Sequence, residues 1–220
     1  MDPTAPKDPP TTDGIAPTAP VETKKRKSLA REYIEAIVIA VLLALVIRTF
    51  VIQAFTIPSG SMVPTLLVGD YILVNKFVFG AEVPFTNLRL PGIREPRRGD
   101  IIVFKYPWDE KRDFIKRVMA VGGEEVYIKE RTVFINGTPL EEPYAVFNEA
   151  GPQSGAEYGP ARVPPDSVFV MGDNRDNSQD SRYWGFLRRE KIRGKAFIIY
   201  WSWDGERHWL RWRRLGYYLP

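Results

Sequence analysis

The sequence predicts a mainly β protein in which a single N-terminal transmembrane helix precedes an antiparallel β region carrying a small inserted β lobe. Three observations point there. Residues 33–55 are the one segment of membrane-spanning length and apolarity. From residue 56 onward the apolar runs are rich in Val, Ile, Phe and Tyr and are broken by Gly, Pro and Asn, and helix signals are nearly absent. With 220 residues and 44% apolar content the chain has enough material to pack a core.

Taken in order, residues 1–28 begin with a Pro-rich stretch that buries too little apolar area to offset chain entropy, so a disordered tail is expected. Lys24, Lys25, Arg26 and Lys27 follow, with Arg31 just beyond. The anchor is expected over residues 29–55. Its apolar part, YIEAIVIAVLLALVIRTFVIQAF, would span about 34 Å as a helix, against a hydrocarbon core of roughly 30 Å. Glu35, Arg48 and Gln53 interrupt it, and the longest unbroken run, residues 36–47, is also long enough only for a buried helix of a soluble protein. The one-sided basic cluster, with Glu35 and Arg48 near the ends where long side chains reach the interface, favours a spanning anchor. No small-x-small pattern follows the apolar run, which argues against a cleaved signal peptide. The positive-inside rule then places the tail in the cytoplasm and residues 56–220 on the outer side of an inner (plasma) membrane.

In that second region strands are expected at Tyr71–Val78, Ile101–Tyr106, Phe114–Val121, Glu125–Lys129, Thr132–Ile135, Ser167–Met171 and Lys195–Trp203. Asn136-Gly137 marks a tight turn. Gly/Pro-rich stretches at 80–99 and 150–165 read as loops, and residues 122–166 as a small inserted lobe.

Composition narrows the chemistry. The chain has no cysteine, which excludes disulfides, thiol catalysis and cysteine-based zinc sites, and its one histidine, His208, lies in a Trp/Arg-rich tail. No metal site and no cofactor are expected. The tail, YWSWDGERHWLRWRRLGYY, suits a core strand or the headgroup region of a membrane. Stacking on nucleic acid is disfavoured, because the expected topology puts this face outside the cytoplasm.

With the one histidine so far along the chain, a serine nucleophile here could not easily rely on an imidazole base, and lysine is the natural substitute. Ser59-Gly60-Ser61-Met62 taken alone is an ordinary turn. The segment DFIKRVMAV, residues 113–121, puts Lys116 in a strand apolar on both faces, sharing one face with Phe114 and Val118 while Ile115 and Met119 flank Arg117 on the other. The plain alternative is an edge-strand lysine with its amine in water. A catalytic Lys116 must be desolvated and free of carboxylate contact, since its ordinary pKa near ~10.4 leaves almost none neutral at pH 7. A third segment, MGDNRDNSQDSRYWGF, carries Asp173, Arg175, Asp176, Asp180 and Arg182, which nearly cancel in charge and suit a buried ion-pair lattice. As a calcium loop it fails, with Arg175 at the third ligand position and no glycine at the sixth.

In combination these segments resemble the type I signal (leader) peptidases, membrane-anchored serine/lysine proteases, over roughly residues 30–215. The anchor is followed by PSGSMVPTL, RGDIIVF at 98–104, IKRV at 115–118 and GDNRDNSQDSRYWG at 172–185. The resemblance implies that Ser61 is the nucleophile and Lys116 the general base. It implies that Ser59 and the Ser61 backbone N–H form the oxyanion hole, that Ser178 orients the amine, and that Asp180 and Arg182 hold the loop. It also implies substrate pockets for small side chains walled by Ile57, Pro58, Met62, Leu66, Ile72, Phe114 and Ile115. The implied partners are signal-peptide-bearing preproteins and membrane lipid. Two departures stand out: Ala120-Val121-Gly122-Gly123-Glu124 replaces the Gly-x-Pro-Gly-Asp turn of many members, and the second lobe is short and cysteine-free. The reading of a different class is a membrane-tethered β binding module in which the serines and Lys116 are structural.

Overall fold

The computed structural model describes residues 29–83, 86, 88–148 and 157–220, so the expected tail 1–28 and its basic cluster lie outside the described residues. The chain divides into a unit ending at Ala40 and a unit over Val41–Pro220. The apolar segment is an α-helix, α1 (Leu29–Val46), continued by a π-helical turn over Ile47–Val51. Its mean hydropathy is 2.5 over a window with none of its residues buried. An all-round apolar helix with no protein covering it has the surface of a membrane span.

The anchor was expected to run to residue 55, and the structure corrects this. The helix occupies Leu29–Val51, and β1 (Ile52–Thr56) begins at Ile52, whose backbone is extended (φ −131°, ψ 134°). Residues 52–56 pair one by one with β2 (Asp70–Asn75), from Ile52 opposite Asn75 to Thr56 opposite Tyr71. Hydropathy reads an apolar strand and the end of an apolar helix alike, so only the pairing separates them.

The remaining strands are β3 (Ile101–Tyr106), β4 (Asp109–Val121), β5 (Glu125–Lys129), β6 (Thr132–Ile135), β7 (Thr138–Pro139), β8 (Tyr158–Arg162), β9 (Ser167–Met171), β10 (Leu187–Arg188), β11 (Ile192–Asp204), β12 (Trp209–Leu210) and β13 (Tyr217–Tyr218). The large sheet runs β1-β2-β11-β3-β4-β9-β10, with β12 and β13 added to β11. A second sheet of four strands runs β7-β6-β5-β8 and falls in the chain between β4 and β9. All named pairings are antiparallel. The β5–β6 hairpin of the second sheet is followed by a turn at Asn136 (φ 52°) and Gly137 (φ 78°), the two positive angles that a two-residue turn of this hand requires between β6 and β7.

Three of the expected strands have different ends: β11 runs over Ile192–Asp204 rather than Lys195–Trp203, and β2 begins at Asp70 rather than Tyr71. β2 stops at Asn75 rather than Val78, because the Asn75 side-chain oxygen accepts the N–H groups of Phe77 (2.9 Å) and Val78 (3.2 Å) and bends the chain into a 3-10 turn. β4 begins at Asp109, earlier than Phe114, since Lys105 and Asp113, and Tyr106 and Asp109, still pair across the β3–β4 hairpin. Three apolar clusters form among the described residues. The one that underlies the site joins Ile57, Met62, Leu66, Ile72, Val74 and Ile101 to residues of β11.

Candidate active site

The residues just after Ser61 fix its position. Beyond extended Ser59 (φ −135°, ψ 156°) the chain closes a 3-10 turn, Gly60–Met62, and Met62 and Leu66 drop into the core, linked by Leu66 N–H to Met62 O at 2.8 Å. That anchors the turn and leaves Ser61 8% exposed above the packed layer.

Lys116 reaches the same point from β4, where its residue sits opposite Ile102 of β3. It is 3% exposed, and its Nζ donates to Ser61 Oγ at 2.6 Å and to Ile115 O at 3.0 Å. The Phe114 ring lies 5.6 Å away. No ion pair to Lys116 occurs among the described residues, which is the condition a lysine base requires. Burial brings its pKa down from 10.5 to about 8; Asp180 and Asp173 oppose the fall from a distance and Arg182 adds to it.

The third segment closes the site from β9 onward. Gly172 passes so near that a Cβ there would sit 2.3 Å from Ser178 Oγ and 2.4 Å from Ser61 O, so only glycine fits. Asn174 donates its backbone N–H to Ser61 O and its side-chain amide to Gly60 O, both at 3.1 Å. Asp180 is fully buried. Its carboxylate accepts Gly172 N–H (3.0 Å), Ser178 Oγ–H (2.7 Å) and Arg182 Nε–H (2.8 Å).

Two expectations are corrected here. Ser178 gives its hydroxyl proton to Asp180 and makes no hydrogen bond to Lys116, whose amine is held by Ser61 and the Ile115 carbonyl. The charges of this segment also do not neutralise one another, apart from Asp180 with Arg182. Asp173 takes Arg117 of β4 (2.8 and 2.7 Å), Arg175 takes Glu142, and Asp176 takes Arg131 (3.5 Å). Residues adjacent in sequence point in different directions on an irregular backbone, so their partners come from other elements.

A cleft of about 750 Å³ opens over Ser61 and Lys116, lined by residues 58–61, 112–116 and 176–179 and by Tyr183. Of the expected pocket walls, Pro58, Phe114 and Ile115 line it. Ile57, Met62, Leu66 and Ile72 do not: each is at most 3% exposed and belongs to the core beneath, so they support the floor without offering surface to a ligand. Ser59 lines the cleft and is exposed. Beside the cleft β4 has one bare edge. It pairs with β3 through Arg117, but with β9 only from Arg117 onward, so residues 113–116 lack a second strand neighbour among the described residues. A second cavity of about 600 Å³ is lined by Arg89, Arg94, Arg188 and Arg189, but those arginines already bond carboxylates or carbonyls.

Sequence reasoning assigned no role to Gly172, Asn174, Arg117 or Glu142. The signals were a glycine and an amide between a strand and an ion-pair segment, and a second cation next to the candidate base.

A sequence profile described as "Signal peptidase, peptidase S26" matches residues 30–201. Curated relatives include a signal peptidase I of Pseudomonas fluorescens, 36% identical over 217 residues (83% of this chain, 76% of that one). A probable signal peptidase I-2 of Synechocystis is 41% identical over 191 residues (82% and 79%). A signal peptidase I of Aquifex aeolicus is 38% identical over 228 residues (78% and 84%).

Proposed function

We propose, for a chain that belongs to the peptidase S26 family of signal peptidases, that Ser61 and Lys116 are the nucleophile and general base with which it cleaves signal peptides from preproteins. The observation that carries this reading is the 2.6 Å hydrogen bond between Lys116 Nζ and Ser61 Oγ, made by a buried amine with no ion-pair partner among the described residues.

The neutral amine takes the Ser61 proton as Oγ bonds to the scissile carbonyl carbon. Negative charge moves to the carbonyl oxygen, where the Ser61 backbone N–H and the Ser59 hydroxyl stabilise it more than they stabilise the ground state. The Lys116 ammonium then protonates the departing amine as the C–N bond breaks, leaving an acyl ester on Ser61. A water, deprotonated by Lys116, releases the signal peptide as a carboxylic acid and restores Ser61.

An extended substrate adds to the bare edge at residues 113–116 by main-chain hydrogen bonds, with alternate side chains turned into the cleft between Pro58, Phe114 and Ile115. Small side chains at the first and third positions before the cut suit that space. In the membrane, α1 is the anchor, with the N-terminus cytoplasmic and the site on the outer side. Trp201, Trp203, Trp209, Trp212, Tyr217 and Tyr218 are each exposed, and aromatic side chains of this kind suit lipid headgroups.

The test is to incubate detergent-solubilised protein with a precursor bearing an Ala-x-Ala site and to sequence the new N-terminus. Cleavage after the second alanine is expected from the native chain and none from Ser61→Ala with its fold intact. Equal cleavage after Ala and after Phe at that position would refute the pocket.

A further inference from the structure

Residues 142–148, which follow β7, form neither helix nor strand, yet bond repeatedly to the segment 172–176. The Glu142 carboxylate accepts both terminal nitrogens of Arg175, Nη1 at 2.9 Å. Arg175 is 1% exposed, and its Nε donates to Gly172 O at 3.1 Å. Val146 N–H donates to Asp173 O (2.8 Å), Arg175 N–H donates back to Val146 O (2.9 Å), and Val146 and Asn174 form a parallel bridge. Asn148 N–H reaches the Asp176 carboxylate at 2.8 Å, and the Tyr144 ring lies 3.8 Å from the Arg117 guanidinium.

Residues 173–175 are therefore held from two sides. On one side Asn174 grips the carbonyls of Gly60 and Ser61. On the other is the arm 142–148. A charged, irregular segment keeps one conformation only where its buried polar groups are partnered, and the arm partners the Arg175 guanidinium and the backbone of Asp173 and Arg175, while β4 partners the Asp173 carboxylate. Arg175 matters most, because its guanidinium bridges the arm to Gly172, the residue packed against both Ser61 O and Ser178 Oγ.

We propose that residues 142–148 are a positioning arm of the active site, and that Glu142, through Arg175 and Gly172, sets the placement of Ser61 against Lys116. The inference rests on the Ser61/Lys116 reading. Its effect falls on kcat more than on KM, since the arm bonds to the cleft lining at Asp176, and none of residues 142–148 lines the cleft beside Pro58, Phe114 and Ile115. The charges that act on Lys116 are Asp180, Asp173 and Arg182, none of them from the arm. A change at Glu142 thus reaches the amine through placement and solvent access rather than through its own charge.

The test compares full-length Glu142→Gln with Val133→Ala, a cavity in the buried core of the second sheet that leaves the arm's bonds intact. Precursor-peptide cleavage is measured against pH, alongside melting temperature. Glu142→Gln is expected to lower kcat about tenfold with KM within about twofold, and to move the acid limb of the kcat profile upward as water reaches Lys116. Val133→Ala is expected to melt earlier while keeping the native kcat and limb. A folded Glu142→Gln with native kcat and limb would overturn the proposal, as would an equal shift in both variants. If Glu142→Gln fails to fold, Glu142→Asp replaces it: a smaller shift in the same direction supports the arm and native kinetics overturn it. Lys116→Arg is run in parallel. If it retains turnover, the Ser61/Lys116 reading falls and the arm with it; if it is dead while Glu142→Gln is native, the arm alone falls.

Discussion

The two faces of β4 carry adjacent cations, each almost wholly buried, with opposite fates. Lys116, 3% exposed, meets a serine hydroxyl and a carbonyl and, among the described residues, no carboxylate. Arg117, 2% exposed, meets both oxygens of Asp173, the Thr65 hydroxyl, the Gly99 carbonyl and the Tyr144 ring. Burial alone does not decide what a cation does. One face withholds the counter-charge, so the ammonium is disfavoured and the amine becomes a base; the other supplies it in full, so the guanidinium is a fixed structural charge.

The largest effect should come from making the first face like the second. Lys116→Arg keeps a positive charge but cannot accept a proton, and precursor cleavage should fall by at least about a thousandfold. Near-native turnover would end the comparison. Making the second face like an empty one should cost stability instead: Arg117→Ala strands the buried Asp173 carboxylate and should destabilise by about 3–5 kcal/mol in denaturant titration. A loss under about 1 kcal/mol would mean that water reaches Asp173 and that the pair is not closed.

The third test uses pH. With Lys116 titrating near 8 in the native state and 10.5 as its ordinary value, the unfolded chain holds one more proton between those pH values, so native stability rises with pH across that window. Below about 8 the buried ammonium costs on the order of 3 kcal/mol. Lys116→Met should therefore be more stable than the native chain near neutrality, with its advantage shrinking from about pH 8 to 10.5. An advantage that grows with pH would contradict the burial argument. For the same reason kcat/KM of the native chain should rise with pH and level off above about 8. The smallest effect is expected at Ser178→Ala, which removes a donor to Asp180 but no bond to the amine, so activity should fall by roughly tenfold or less.

Much of the strand pattern was readable in advance. Ile101–Tyr106, Glu125–Lys129, Thr132–Ile135 and Ser167–Met171 stand where period-2 and apolar runs placed them, because those strands are bounded by local Gly, Pro or Asn signals, except at the turn between the middle two, where Glu130 and Arg131 take positive φ (49° and 67°). β1 was hidden inside an apolar helix pattern, and β8, with its Pro and Gly, carries no strand signature of its own. At the site, the residue types and segments were readable, but the cleft walls were not. Ile57, Met62, Leu66 and Ile72 have the composition of a pocket and the burial of a core, and sequence cannot separate the two.

By itself the sequence determined the β class, the apolar helix, the absence of any thiol, a single histidine far along the chain from Ser61, and a lysine in a strand apolar on both faces. These are properties of neighbouring residues. Only the tertiary structure decided which charges meet, because Ser61 and Lys116 are 55 residues apart, Arg117 and Asp173 56, and Glu142 and Arg175 33. It also decided that Ser178 serves Asp180 rather than Lys116, and that position 172 has no room for a Cβ. The physical reason is the same in each case: a hydrogen bond or a close approach is set by the direction and distance between elements brought together by the sheet, and no local pattern encodes either.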